Sequence, residues 1–192
     1  MARGFTDAEK KNIREKLIAE CEKSWASLGY KKTSIDELCA KVGIAKGSFY
    51  LFFGSKELLF CAVSDAMQQR QVAQLEETLS KTPSKSELCQ LLKKIYLGYD
   101  EANIFVQRTS PDFAAFWNRA PIEWIEEYQK NSNDFINKTI WSPHLKLKME
   151  KQKTLGVINA LLGILTYKNS LGYDHYEIFC VLLDSIINEI YE

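Results

Sequence analysis

The segment Thr33-Ser34-Ile35-Asp36-Glu37-Leu38-Cys39-Ala40-Lys41-Val42-Gly43-Ile44-Ala45-Lys46-Gly47-Ser48-Phe49-Tyr50-Leu51-Phe52-Phe53 divides into two short helical pieces around one glycine. Thr33 or Ser34 offers an N-cap hydroxyl, and Asp36 and Glu37 follow in the first turn, where the helix dipole favours negative charge. Ile35, Leu38, Cys39 and Val42 recur at helical spacing, giving this piece one apolar face. Gly43 can take the left-handed conformation that stops the helix. A second short helix starts near Ala45 or Lys46. Its Phe49 and Phe53, four apart, can pack inward while Lys46, Ser48, Tyr50 and Leu51 face outward. This arrangement reads as a helix-turn-helix, a unit that carries its second helix into the major groove of DNA.

The flanks agree. Upstream, Thr6 and Glu9 are spaced as a capping box for a long helix. In that helix Ile13, Leu17, Cys21, Trp25 and Leu28 form one stripe before Gly29-Tyr30 closes it. Downstream, Ser55 is the expected N-cap of a further helix containing Glu57. The chain resembles the TetR family of transcriptional regulators in Leu28-Gly29-Tyr30, in Thr33-Ser34-Ile35, in Gly43-Ile44-Ala45-Lys46-Gly47-Ser48-Phe49-Tyr50 and in Phe53-Gly54-Ser55-Lys56-Glu57-Leu58. These elements match in order over about the first third of the chain. The resemblance implies an all-α protein with an N-terminal three-helix DNA-binding domain at residues 1–54, motif 33–53. A C-terminal helical domain for ligand binding and dimerisation would occupy residues 55–192.

Charge supports the division. The 192-residue chain has a formal net charge of zero, yet residues 1–56 hold 11 Lys and Arg against 7 Asp and Glu, while the rest holds 14 against 18. Basic charge thus gathers where a polyanion would bind. The five cysteines (Cys21, Cys39, Cys61, Cys89 and Cys180) lack disulfide-like or zinc-like spacing, and read as small apolar side chains in a reducing compartment. Met1-Ala2-Arg3-Gly4-Phe5 lacks the apolar run of a signal peptide. The stretch Leu155 to Tyr167 is broken by Asn159 and too short to cross a membrane. A soluble cytoplasmic protein without cofactor, metal or membrane partner is expected.

Strand signals are scarce, with no sustained alternation and no Asn-Gly or Asp-Gly hairpin. Helices are expected from Glu57 to about Leu79, and from the Ser84/Glu87 cap to about Tyr99. Shorter ones follow over 100–108 and 110–118, the latter with Pro111 in its first turn, then one from Pro121 to about Thr139. Two last helices are expected over about 145–170 and 174–191.

The resemblance also implies DNA contacts. Thr33 and Ser34 would bind phosphate at a helix start. Lys46 would reach a base edge or a phosphate, Gly47 would let the backbone approach, and Ser48 would hydrogen-bond to either. Tyr50 matches the family's phosphate-contacting tyrosine, and Lys56 would hold the far strand. Leu51 offers an apolar contact, such as to a thymine methyl. Ala45 and Phe52 depart from the family's usual Ser and His, which predicts fewer polar contacts in the groove and more reliance on backbone contacts and Arg3.

Contacts from one subunit are too few for a gene-specific address, and two recognition helices about 34–36 Å apart would read a palindromic operator. Leu155, Ile158, Leu162 and Leu165 form a stripe, with Gly156 and Gly163 allowing close approach. Val181, Leu182, Ile186 and Ile190 run along the last helix. These are the candidate homodimer residues, and the resemblance implies a four-helix interface. Tyr96, Tyr99, Phe105, Phe113, Phe116, Trp117, Trp124 and Tyr128 are candidates for an apolar pocket holding an unidentified small-molecule effector; a tightly filled core is the alternative. An effector that prefers a dimer with misplaced recognition helices would release DNA, the behaviour of a ligand-responsive repressor. An all-α enzyme is disfavoured: His144 and His175 have no neighbouring nucleophile or metal pattern. A protein-binding adaptor that has lost DNA contact is the other rival.

Overall fold

A computed structural model describes residues 5–79, 84–101, 110–140, 145–164 and 172–192. Among them run nine helices: α1 (Asp7–Lys32), α2 (Ile35–Val42), α3 (Lys46–Phe49), α4 (Lys56–Leu79), α5 (Lys85–Glu101), α6 (Pro111–Trp117), α7 (Ile122–Ile140), α8 (Lys151–Leu162) and α9 (His175–Ile190). The architecture is all-α. Two compact units emerge, one joining Met1–Gln68 to Ser110–Tyr128, the other joining Gln69–Thr109 to Gln129–Glu192. Phe105, Trp141, His144, Leu165, Arg3 and most of the helix expected over 100–108 lie outside the described residues.

In the first unit α1 starts at the expected capping box. Glu9 N–H donates to the Thr6 hydroxyl at 3.3 Å, and Thr6 N–H donates to the Glu9 carboxylate at 2.7 Å. The stripe is buried at Leu17, Cys21 and Trp25. Leu28, counted on the same stripe, is instead 47% exposed. The reason is Gly29, whose φ of 81° and ψ of 174° break the helix and turn Tyr30 into the core. Thr33 then returns both its N–H (3.2 Å) and its hydroxyl (2.8 Å) to the Gly29 carbonyl. Asp112, in the first turn of α6, accepts the freed backbone N–H groups of Tyr30 and Lys31. That turn is fixed by Ser110, which accepts the Phe113 N–H at 3.1 Å, with Pro111 following as expected.

Aromatic rings fill this unit. Phe116 is fully buried, with the rings of Trp25 at 5.3 Å, Tyr30, Phe60 and Phe113 at 5.7 Å and Trp124 at 5.9 Å. Truncating such a ring costs about 3–5 kcal/mol. Trp124 donates its indole N–H to Asp65 at 2.9 Å, so its polar atom is satisfied.

The second unit packs α5, α8 and α9 around Leu88, Tyr96, Ile158, Phe179, Leu183, Ile187 and Ile190. Tyr96 stacks on Phe179 with centroids 3.7 Å apart, and its hydroxyl meets His175 Nδ1 at 3.1 Å. Ser84 and Glu87 cap α5 reciprocally, and Asp174 caps α9. The expected helix over 145–170 needs correction at its start. Residues 145–150 are not helical, with Leu147 bridged to Tyr191, Lys148 N–H on the Ile190 carbonyl at 2.8 Å, and Glu192 N–H on the Lys146 carbonyl at 2.9 Å. Leu145, Leu147 and Met149 alternate toward the core while Lys146, Lys148 and Glu150 face out, a period of two that no helix could serve. None of the described helices is long and apolar enough to cross a membrane.

Candidate nucleic-acid interface

Positioning of the exposed face begins at α2. Buried Leu38 and Cys39 fix it against the first unit's core. Ser34 is its N-cap, but no side-chain hydroxyl closes the helix, contrary to the expected cap. Thr33 precedes the cap position and turns its hydroxyl back to donate to the Gly29 carbonyl, and the residue is 2% exposed. Asp36 and Glu37 in the first turn supply the dipole's negative charge instead.

Gly43 ends α2 with φ 80° and ψ 32°. Its N–H and that of Ile44 both return to the Cys39 carbonyl, at 2.9 and 3.0 Å. This left-handed stop aims α3, as the sequence implied. α3 starts from Ala45 without a side-chain cap. Past Phe49 the chain tightens into turns, with Leu51 N–H on the Ser48 carbonyl at 3.1 Å and Phe52 N–H on the Phe49 carbonyl at 2.9 Å. Phe49 and Phe53 anchor it from beneath, both buried, with the Arg14 guanidinium 4.7 Å from the Phe53 ring centroid.

The opposite face is open. Tyr50 is 56% and Leu51 70% exposed, and a side chain at Gly47 would meet nothing within 4 Å. Lys46 is exposed beside Tyr50, and its ammonium donates to Asp36 Oδ2 at 2.9 Å. The hydrogen bond and charge of Asp36 hold the lysine's pKa above its usual value. Ser48 is half-buried between the two faces. Lys56 stands apart from this group: its ammonium lies 4.5 Å from the Tyr30 ring centroid, and burial pulls its pKa down. Beside it the Tyr30 hydroxyl donates to Glu57. Burial opposes the Glu57 charge, but Tyr30, a backbone N–H, Ser55 and Arg119 together keep that carboxylate below its usual range.

The structure therefore brings together Lys46, Gly47, Tyr50 and Leu51, with Ser34 at the start of the neighbouring helix and Thr33 inside. Two participants were not expected. Asp36 shares the exposed face with Lys46, and the ten-residue spacing across a helix-turn-helix could have signalled it. Asp112 lies 82 positions from Tyr30 and no local pattern announces it.

The candidate effector residues divide. Phe113, Phe116, Trp117, Trp124 and Tyr128 belong to the first unit, where their rings pack on one another and on Trp25. Tyr96 belongs to the second unit and is buried against Phe179. Tyr99 falls on α5 with its side chain outside the described set, as does that of Leu162 on α8. A separate open groove of about 480 Å³ runs along α5 and α9, lined by Lys85, Cys89, Lys93, Asp184 and Asn188 among others.

Of the candidate dimer residues, Ile158 and Ile190 are enclosed by the second unit itself, and Leu155 and Ile186 are half-buried. Val181 (59% exposed), Leu182 (40%) and Gly156 remain outward, and Gly163 is half-buried. Among the described residues no His, Cys, Asp and Glu cluster could hold a metal ion.

Comparison with known proteins agrees with this geometry. Residues 17–63 match the family model described as bacterial regulatory proteins, tetR family. An uncharacterized HTH-type transcriptional regulator of Bacillus subtilis, YerO, is 35% identical over 78 residues, which is 39% of this chain and 27% of that protein. The chain thus aligns with little more than a quarter of that relative. The fold extends further. The transcriptional regulator FadR of Bacillus subtilis, solved with stearoyl-CoA, superposes with a TM-score of 0.68 at 17% identity, covering 92% of this chain and 98% of that one. A tetR-family transcriptional regulator from Streptomyces coelicolor gives a TM-score of 0.64 at 14% identity, covering 91% and 78%.

Proposed function

We propose, from the match of residues 17–63 to the family model of bacterial regulatory proteins, tetR family, that this chain is a cytoplasmic transcriptional regulator that binds a palindromic operator as a homodimer. The observation that carries the reading is one short helix and the turns that follow it, with two opposed faces. Phe49 and Phe53 lock α3 into the core, so Lys46, Tyr50 and Leu51 are held outward on a rigid element. A groove-reading helix needs this division, since base recognition depends on donors fixed relative to the duplex. Tyr50 and Lys46 supply phosphate and base donors, and Leu51 an apolar surface for a thymine methyl. Thr33 contributes by holding the start of α2 in place. Ser34, at the N-cap, remains the phosphate-binding candidate there.

Dimerisation is supported by the outward apolar side chains Val181 and Leu182 on α9. An effector that is small and largely apolar or aromatic is the reading suggested by the aromatic content, and the acyl chain of the stearoyl-CoA solved with the structurally similar FadR is likewise apolar. Release of DNA follows if that effector prefers a dimer with misplaced recognition helices. A coupling of about 1–3 kcal/mol would change occupancy about 5- to 150-fold. Repression by promoter occlusion is the form this control would take.

The test is direct. Lys46→Ala and Tyr50→Ala should each weaken binding to duplexes selected from a random pool, as seen by gel shift, while sedimentation shows the same assembly as the parent protein. Unaltered binding by both variants would overturn the interface assignment.

A further inference from the structure

Resting on the DNA-binding reading above, we infer that Asp36 is a specificity-determining residue: it positions Lys46 so that the two side chains together read a G·C base pair. Three observations support this. Asp36 Oδ2 accepts from the Lys46 ammonium at 2.9 Å, and both side chains are 60% exposed, so the pair lies on the face presented by α2 and α3. Asp36 sits in the first turn of α2, where the helix dipole favours its charge, and buried Leu38 and Cys39 hold that helix to the core. The carboxylate is therefore a fixed anchor, whereas the lysine stem alone is flexible.

The chemistry of the pair favours bases over backbone. An ammonium has three donors. With one spent on Asp36, two remain, aimed by the anchor instead of following any nearby phosphate. A phosphate carries full negative charge and is repelled by Asp36, whereas a base edge is neutral. In the major groove a G·C pair presents the guanine O6 and N7 acceptors beside the cytosine N4 donor. A lysine donor held next to a carboxylate acceptor is the complementary pattern: Lys46 donates to guanine while Asp36 accepts from cytosine. An A·T pair, read in either direction, offers only one acceptor on that side of its donor, adenine N7 or thymine O4, and so leaves one of the two lysine donors unpaired.

The experiment uses the full chain and two probes, a random-sequence duplex pool for selection and one mixed-sequence duplex for affinity. The parent protein should enrich sites with G·C at a fixed position in each half. Asp36→Asn should loosen that position while leaving the others. It should also bind the mixed-sequence duplex about two- to five-fold more tightly, the range expected when an exposed ion pair no longer competes for the lysine. The slope of log affinity against log salt should steepen by about 0.9, one more neutralised phosphate. Asp36→Glu restores the charge on a longer arm and should recover the parent's slope and part of its preference. A purely structural role for Asp36 would change none of these readouts. If Asp36→Asn enriches the parent's sites with unaltered affinity and salt slope, the inference is overturned while DNA binding stands. If the parent enriches no sequence and shifts no duplex, the DNA-binding reading fails and takes this one with it.

Discussion

At Gly29 the backbone enters a region of φ and ψ that is nearly glycine-only, at a cost to other residues of about 1–3 kcal/mol. A Cβ there would also stand 2.6 Å from a carboxylate oxygen of Asp112. The same carboxylate accepts the N–H groups that the break exposes at Tyr30 and Lys31, so the glycine and the aspartate form one device. Its product is the position of the Gly29 carbonyl, from which Thr33 and the start of α2 hang. Gly29→Ala should lower stability by about 2–3 kcal/mol in urea titration. Asp112→Ala should cost about 1–2 kcal/mol by stranding the two donors. Once the carboxylate is gone the added methyl has less to strike, so the double variant should fall short of the sum by at least about 0.5 kcal/mol. Strict additivity would mean that the two residues act separately.

Helix ends govern the next scale. Glu9 and Glu87 each accept a backbone N–H, from Thr6 and Ser84, and then the hydroxyl of the same residue; both interactions hold their pKa values below the usual carboxylate range. A carboxylate whose folded pKa is depressed stabilises the fold above its unfolded value, near about 4.3, and loses that contribution as pH falls through the folded value. Glu9→Gln and Glu87→Gln should therefore be less stable than the parent at neutral pH and converge with it below about pH 4. Denaturant midpoints measured at both pH values decide this, and an offset that persists in acid would rule the mechanism out. These caps were legible because their partners lie three positions apart, and so were the Gly43 stop and the inward Phe49 and Phe53. The run Leu145-Lys146-Leu147-Lys148-Met149-Glu150 alternates with a period of two, yet that alternation is short enough to pass for the first turns of a helix, the reading the structure corrects. Asp112 was not legible at all. Nothing near Tyr30 in sequence says which distant carboxylate will take its N–H.

For the whole molecule, the proposed function assigns to the last helix whether one recognition surface or two meet an operator. α9 spends Phe179, Leu183, Ile187 and Ile190 on its own unit, all buried. Val181 and Leu182 project from the rest of its circumference, 59% and 40% exposed, an arrangement that suits a second copy of the same helix. The two sets predict opposite outcomes for the same kind of substitution. Leu183→Glu should unfold the second unit, because a charge would enter its core unpaired. Val181→Glu together with Leu182→Glu should leave helicity and the urea midpoint near those of the parent, since both positions already face water. By sedimentation this double variant should run as a monomer. Its affinity for a selected palindrome should drop by about 10²–10⁴-fold, the advantage lost when two half-sites are no longer bound by one assembly. Its affinity for an isolated half-site should stay at the parent's level, because α3 and its exposed lysine are untouched. A double variant that remains dimeric would move the interface to another surface, and the outward apolar side of α9 would then need a different occupant.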